Sequence, residues 1–385
     1  MSRGPRIESV DFLRGFVMIL MALDHARDFF GVQAISPTDV AHAGAPLFFT
    51  RWITHICAPT FFLLTGTGAF LSRARTSPAA LSRYLITRGV WLILLELTVI
   101  RLVAYQFNLD YQVTMLLVIW ALGWSMIALG LLVFLPLPAI GVIGALMITG
   151  HNLLDSVRSA NPIWVVLHGP GFVSQSPDHT IFVSYPLIPW IGVTALGYVL
   201  GVIFAWPAGK RKKLLLTLGV SAIVAFVLLR GINVYGDPSR WKVQVTSVAT
   251  VLSFLNTTKY PPSLLYLLMT LGPALLILRW ADGVTPGALR PVLNYGRVPF
   301  FYYVTHFFMI HALAVAVCLV RYGTARWMFE SPNLGSYPFT QPPDWGYSLP
   351  VVYAVWSAVV IAVYPACRRF AELRAQRAQR WLSYF

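Results

Sequence analysis

The chain has 385 residues, of which 57% are hydrophobic and only 11% charged, with a formal net charge of +15. Together with a mean hydropathy of +0.68, this excludes a water-soluble globule, because apolar runs long enough to cross a bilayer recur along the whole chain. The surplus of positive charge is spread over short connections rather than gathered in a soluble basic domain, so nucleic-acid binding is not expected.

The runs lack the short alternation of a membrane barrel, which leaves helices to satisfy the backbone in lipid. The fold class is therefore all-α integral membrane, with about ten transmembrane helices predicted at 9–31, 51–72, 84–106, 113–134, 137–154, 183–205, 214–231, 261–279, 297–320 and 348–367. The connections alternate in charge. Arg73, Arg75 and Arg83, then Lys210 to Lys213, then Arg279 and Arg290, and finally Arg368, Arg369, Arg374, Arg377 and Arg380 form the basic set. The opposite connections are poorer: 32–50 has no Lys or Arg, 155–182 only Arg158, and 321–347 only Arg321 and Arg326. The positive-inside rule puts both termini in the cytoplasm. Segment 232–260 departs from that pattern, since it is assigned outside yet holds Arg240, Lys242 and Lys259.

The first predicted span carries polar groups where lipid-facing residues are expected. Arg14 and His25 are eleven positions apart, which at about 100° per residue places them within about 20° on a helix. Along the axis they are separated by about 16 Å. Asp11 and Asp28 flank the same stripe, and charges at such depth line a protein interior or a wet cavity. A local alternative stands beside this: Asp11–Arg14 and Asp24–Arg27–Asp28 have i,i+3 and i,i+4 spacing and can neutralise one another. The span is not a cleavable leader, because Arg14 and Asp24 interrupt its apolar core.

The connection to the second span contains Asp39 and His42, and the second span carries His55, followed by Pro59 and the TGTG of 65–68. Pro59 and these glycines allow a kink and close helix approach. Glu96 lies near the middle of the third span, and His306 and His311 lie in the ninth. Singly, each histidine reads as a packing residue; four at a similar depth, His25, His55, His306 and His311, point to a site. Neither HExxH nor paired CxxC occurs, so no metal is expected. Cys57, Cys318 and Cys367 all fall within spans and imply no disulfide framework. There is no internal repeat, and 1–385 reads as a single polytopic membrane domain. Its basic tail, 368–385, is compatible with an amphipathic helix on the inner leaflet or a solvated tail.

The chain resembles a known family through stretches spread along its length: SVDFLRGFVMILMALDHARDFF (9–30) with its Arg-x10-His pattern, RGVWLILLELTVIR (88–101), VIWALGWSMIALG (118–130), YPLIPWIGV (185–193), FLNTTKYPPSLLYLLMTLGP (254–273) and LNYGRVPFFYYVTHFFMIH (293–311). They are similar to bacterial relatives of heparan-α-glucosaminide N-acetyltransferase, within the transmembrane acyltransferases. The resemblance implies a multi-pass protein of the bacterial inner membrane. It implies an acetyl group taken from cytosolic acetyl-CoA and delivered, by N- or O-acetylation, to an amino-sugar or other sugar acceptor on the far side.

On that reading Arg14, Arg88 and Arg297 contact the donor's phosphates or pantetheine, since Arg offers a planar fork to phosphate oxygens. His25 is the general base, oriented by Asp24 or Asp28, and His42 is the alternative base with His25 as helper. His55, Glu96, Lys259, Tyr260 and His306 are assigned to the acceptor, with interfacial anchoring an equal reading of Lys259 and Tyr260. Membrane lipids are the other expected partners, and a homodimer is compatible with the sequence. A secondary transporter or flippase for a small anionic or sugar substrate is the alternative function, with the polar stripe as its pathway.

Overall fold

In a computed structural model, residues 7–32, 36–73, 76–283 and 287–376 are described. The helices and strands run in the order α1 (Glu8–Phe30), α2 (Ala45–Thr54), α3 (Cys57–Arg73), α4 (Pro78–Leu95), β1 (Val113–Leu116), α5 (Val118–Leu132), α6 (Leu137–Gly150), α7 (Pro162–Leu167), β2 (Gly171–Gln175), β3 (Thr180–Val183), α8 (Leu187–Leu200), α9 (Ala208–Ile232), α10 (Ser247–Leu255), α11 (Leu264–Ala281), α12 (Arg290–Arg297), α13 (Pro299–Tyr322) and α14 (Leu349–Gln376). Of the described residues 71% are helical, and among them seven helical segments are long and apolar enough to cross a membrane.

Several predicted spans take a different local form. The 51–72 run breaks at His55–Ile56 into α2 and α3. Pro59 has no N–H to donate to the carbonyl of residue 55, so the helix cannot continue smoothly through that turn. The 84–106 run continues α4 into a π-helical stretch, Glu96–Tyr105. The 113–134 run is split: Val113–Leu116 forms β1, leaving the 15-residue α5, shorter than the ~20 residues a crossing helix needs. At the other end of the chain α14 carries the tail on to Gln376, while 377–385, with Arg377, Arg380 and Trp381, lies outside the described residues, as does Arg75.

The residues fall into two compact units, each assembled from separated segments. The first comprises Met1–Cys57, Val99–Asp110 and Trp280–Phe385; the second comprises Ala58–Thr98 and Tyr111–Arg279.

In the first unit α1 is the central element, and most of it is buried. Gly15 and Gly296 let it press directly on α12: a Cβ at Gly15 would stand 2.0 Å from the Val292 carbonyl oxygen, and one at Gly296 would stand 1.8 Å from that of Asp11. Small residues at a helix crossing permit this backbone approach. Further along, His25 meets His306 and Phe29 meets His311, so α1 runs parallel to α12 and α13. It runs antiparallel to α14, whose Trp356 indole donates to the Ile19 carbonyl at 2.8 Å; the preceding Tyr347 N–H reaches the Phe30 carbonyl at 2.7 Å. Phe301 of α13 stacks on Phe370 of α14 at 4.5 Å.

The second unit pairs α4 with α5 and α6 with α8. The TGTG stretch does what its composition suggests, because a Cβ at Gly66 would stand 1.9 Å from the Thr194 carbonyl oxygen of α8, and Thr67 Oγ1 donates to Gly197 O at 3.0 Å. A three-stranded sheet of order β1-β3-β2 belongs to this unit, with β1 parallel and β2 antiparallel to β3. Two helices, α9 in the second unit and α14 in the first, keep most of their apolar surface uncovered, as helices facing lipid do.

Candidate functional site

The polar residues of α1 sort into three groups along its length. Near its start, Arg14 Nη1 lies 3.1 Å from Asp11 Oδ1 and donates to the Gly296 carbonyl at 3.0 Å. That carbonyl exists as a partner because the glycine crossing brings the C-terminal end of α12 onto α1. Arg297 follows immediately, with its Nε buried and lacking a hydrogen-bond partner. Its backbone oxygen accepts from Arg374 Nη1 of α14 at 2.9 Å. Three arginines from three helices thus gather where the α12 carbonyls end, a position that favours cations.

Near the other end, Arg27 reaches Asp24 at 2.9 Å and Asp28 at 2.6 Å, and Arg51 of α2 also pairs with Asp24. The local pairing that the spacing allowed is present in both places. Two acids balance two bases, which lowers the cost of burying each charge.

Within the Asp24–Asp28 stretch the His25 ring is held by aromatic neighbours from α13. Phe307 stacks on it at 3.7 Å between centroids and Tyr303 meets it edge-on at 6.3 Å. Its Nδ1 faces His306 Nε2 at 2.7 Å. His306 is fully buried, and its Nδ1 lies 2.7 Å from the Tyr302 carbonyl. A carbonyl can only accept, so His306 carries its proton on Nδ1 and, as a neutral ring, offers a lone pair at Nε2. His25 must then donate from Nδ1. With both rings neutral, its Nε2 is the proton-accepting nitrogen.

The remaining assigned residues are distributed. His55 is buried at the turn between α2 and α3, in the first unit. His42 sits in the exposed 36–44 connection with Nδ1 2.7 Å from Asp39 Oδ2, and that bond holds the Asp39 carboxyl below its usual range. His311 stacks on Phe107 at 3.8 Å and its Nε2 donates to the Met328 carbonyl at 2.8 Å, the environment of a packing histidine. Arg88, Glu96, Lys259 and Tyr260 belong to the second unit. Arg88 is half-buried on α4. Glu96 is buried and accepts the Trp120 N–H in the first turn of α5, the role of a helix cap. Lys259 lies over the ring of Tyr260 at 5.2 Å, and Tyr185 meets that ring edge-on at 5.1 Å.

Two contributors escaped the sequence reading in these roles. His306 meets the His25 ring and Arg374 reaches the Arg297 carbonyl. Both depend on packing between positions 281 and 77 residues apart, which a local pattern cannot reveal. The second unit also brings His151 and His168 to Asp155, a grouping with no sequence signal because the two histidines flank a connection.

Residues 6–235 match the family model described as heparan-alpha-glucosaminide N-acetyltransferase, catalytic. Comparison with curated proteins gives no match.

Proposed function

From the premise that this chain belongs to the heparan-α-glucosaminide N-acetyltransferase catalytic family, and so to a group of membrane acetyltransferases, we propose that it transfers an acetyl group from cytosolic acetyl-CoA to an amino-sugar or other sugar acceptor across the membrane. The observation that carries this reading is the Tyr302–His306–His25 hydrogen-bond series, which presents His25 Nε2 as a base.

The arginine group fits the anionic donor. Arg297 Nε is buried without a partner, next to Arg14 and Arg374, and these three residues would hold phosphate oxygens by charge-assisted bonds. When bound, acetyl-CoA supplies an already activated thioester. His25 Nε2 takes the proton of the acceptor amine or hydroxyl as that group becomes nucleophilic. His306 fixes the tautomer and, through its bond to the Tyr302 carbonyl, disperses the positive charge that His25 acquires. Phe307 and Tyr303 hold the ring plane and keep water from the relay, and the paired acids on either side leave the local charge near balance. Along α1, eleven residues separate Arg14 from His25, about 16 Å, which separates donor anchoring from acceptor deprotonation.

The orientations within the first unit support an inside position for both termini. Helix α1 is parallel to α13 and antiparallel to α14, the parity that an even number of crossings requires. Its basic end collects Arg14, Arg297 and Arg374, in keeping with the positive-inside rule. Within the first unit, His55 would extend the acceptor site. The location that follows is a bacterial inner membrane.

A second reading places the base at His42, because Asp39 holds Nδ1 of that exposed ring in the orientation a base needs. Purified protein in liposomes, supplied with acetyl-CoA and glucosamine, separates the two. We expect His25→Ala to lower thioester consumption and acetylated product by about 10²–10⁴-fold, with His42→Ala close to wild type. The reverse result assigns the base to His42, and acceptor flux without thioester loss assigns the protein to transport.

A further inference from the structure

We propose that His151, Asp155 and His168 form a binding site for a divalent d-block cation of the zinc class. One ligand atom from each residue lies within 4.8 Å of the other two. Around an ion with bonds of about 2.0–2.2 Å, a shift of roughly 0.7 Å or less per ligand completes that geometry. Two imidazoles and one carboxylate suit zinc and neighbouring ions and do not suit calcium or magnesium, which take oxygen ligands.

Local structure builds the site. His151 opens the 3-10 turn His151–Leu154 at the end of α6 and Asp155 closes it, and this turn brings their ligand atoms within 4.8 Å of each other. His168 is the C-terminal cap of α7. Its ring stacks on Trp164 at 4.9 Å, and its Nε2 donates to the His151 carbonyl at 2.8 Å. Such an outer hydrogen bond fixes the tautomer and ring orientation of a ligating histidine. Asn152 does the same for the carboxylate: Nδ2 donates to Asp155 Oδ2 at 2.8 Å, while Oδ1 stands 3.8 Å from His168 Nε2.

A second, independent observation points to a ligand. His151 is only 2% exposed, and neither of its ring nitrogens meets a hydrogen-bond partner of good geometry. A buried imidazole left in that condition costs free energy unless something binds it. Three protein ligands leave a fourth position for water or an exogenous donor. The ion would clip the end of α6 to the end of α7.

The test uses detergent-purified full-length protein, freed of any affinity tag and of metal. After dialysis against micromolar zinc, elemental analysis is expected to give one zinc per chain, and cobalt titration the visible absorption of a four-coordinate site. Because the buried histidines serve packing as well, the informative variant is Asp155→Asn, which keeps shape; His168→Gln is the second. Each is expected to weaken zinc binding by about 100-fold while retaining the helical circular dichroism, and zinc is expected to raise the wild-type Tm and not the variants'. Less than about a tenth of an equivalent of zinc in the wild type would overturn the proposal, as would equal binding by the wild type and the folded double variant.

Discussion

Each unit of the molecule contains a histidine pair, and the pairs are built for different chemistry. In the first unit a nitrogen of His25 meets a nitrogen of His306 at 2.7 Å, so the rings are joined through one proton and one lone pair. In the second, His151 and His168 have ring centroids 5.8 Å apart and share an aspartate rather than a hydrogen bond between rings. Joined imidazoles set a tautomer and pass the consequences of protonation from one to the other. Imidazoles grouped around a carboxylate offer several donors to a single point. The same residue type serves proton transfer in one place and ligation in the other, according to what stands between the rings.

The comparison is broken most directly at His25. Substitution by alanine should reduce acetyl transfer by about 10²–10⁴-fold without lowering zinc content, as measured by product formation and elemental analysis on one preparation. The arginine group comes next. Arg14→Gln removes charged hydrogen bonds worth about 1.5–3 kcal/mol, so calorimetry should show acetyl-CoA binding weakened by roughly one to two orders of magnitude; an unchanged affinity would place the donor elsewhere.

Gly296→Ala tests the crossing that assembles that group. The new Cβ would fall 1.8 Å from the Asp11 carbonyl oxygen, and overpacking of this kind costs about 1–3 kcal/mol, to be read as a lower Tm. His306→Asn sharpens the relay itself: as a positioning change it should lower kcat by about 10-fold, with KM for acetyl-CoA unchanged and the acidic limb of the pH profile, which reports the His25 base, shifted.

The smallest effect lies in the exposed connection. The bond to His42 lowers the Asp39 carboxyl, so the order it gives residues 36–44 is present above the usual carboxylate range and lost as pH falls through the lowered value. Protection against hydrogen exchange across the loop, taken relative to the intrinsic rate at each pH, should be lost at acid pH in the wild type and be low throughout in Asp39→Asn.

The sequence revealed the solvent, the helices and the stripe on α1, because burial and period leave their marks within a single helix. It singled out Arg14 and His25, both half-buried, whose neighbours are the Gly296 carbonyl and His306. What stands beside them was hidden: His306 reaches His25 only because α1 and α13 run parallel, and Gly15 and Gly296 set the separation. Asp24 and Asp28 form the ion pairs with Arg27 that their spacing allows, and Asp24 also pairs with Arg51 of α2, a partner no local spacing indicates. Strand β1 was absorbed into an apolar run, since a short continuous apolar stretch has no period to distinguish strand from helix. His151 and His168 lie 17 residues apart across a connection without a metal-ligand spacing, so only folding brings them to Asp155.

The tautomer of His25 is the point on which the catalytic account turns. Nitrogen-15 NMR of ring-labelled protein near neutral pH, with the signal identified by its loss in His25→Ala, is predicted to show Nδ1 protonated and Nε2 with the shift of an unprotonated nitrogen. A proton resident on Nε2, with Nδ1 bare, would contradict it.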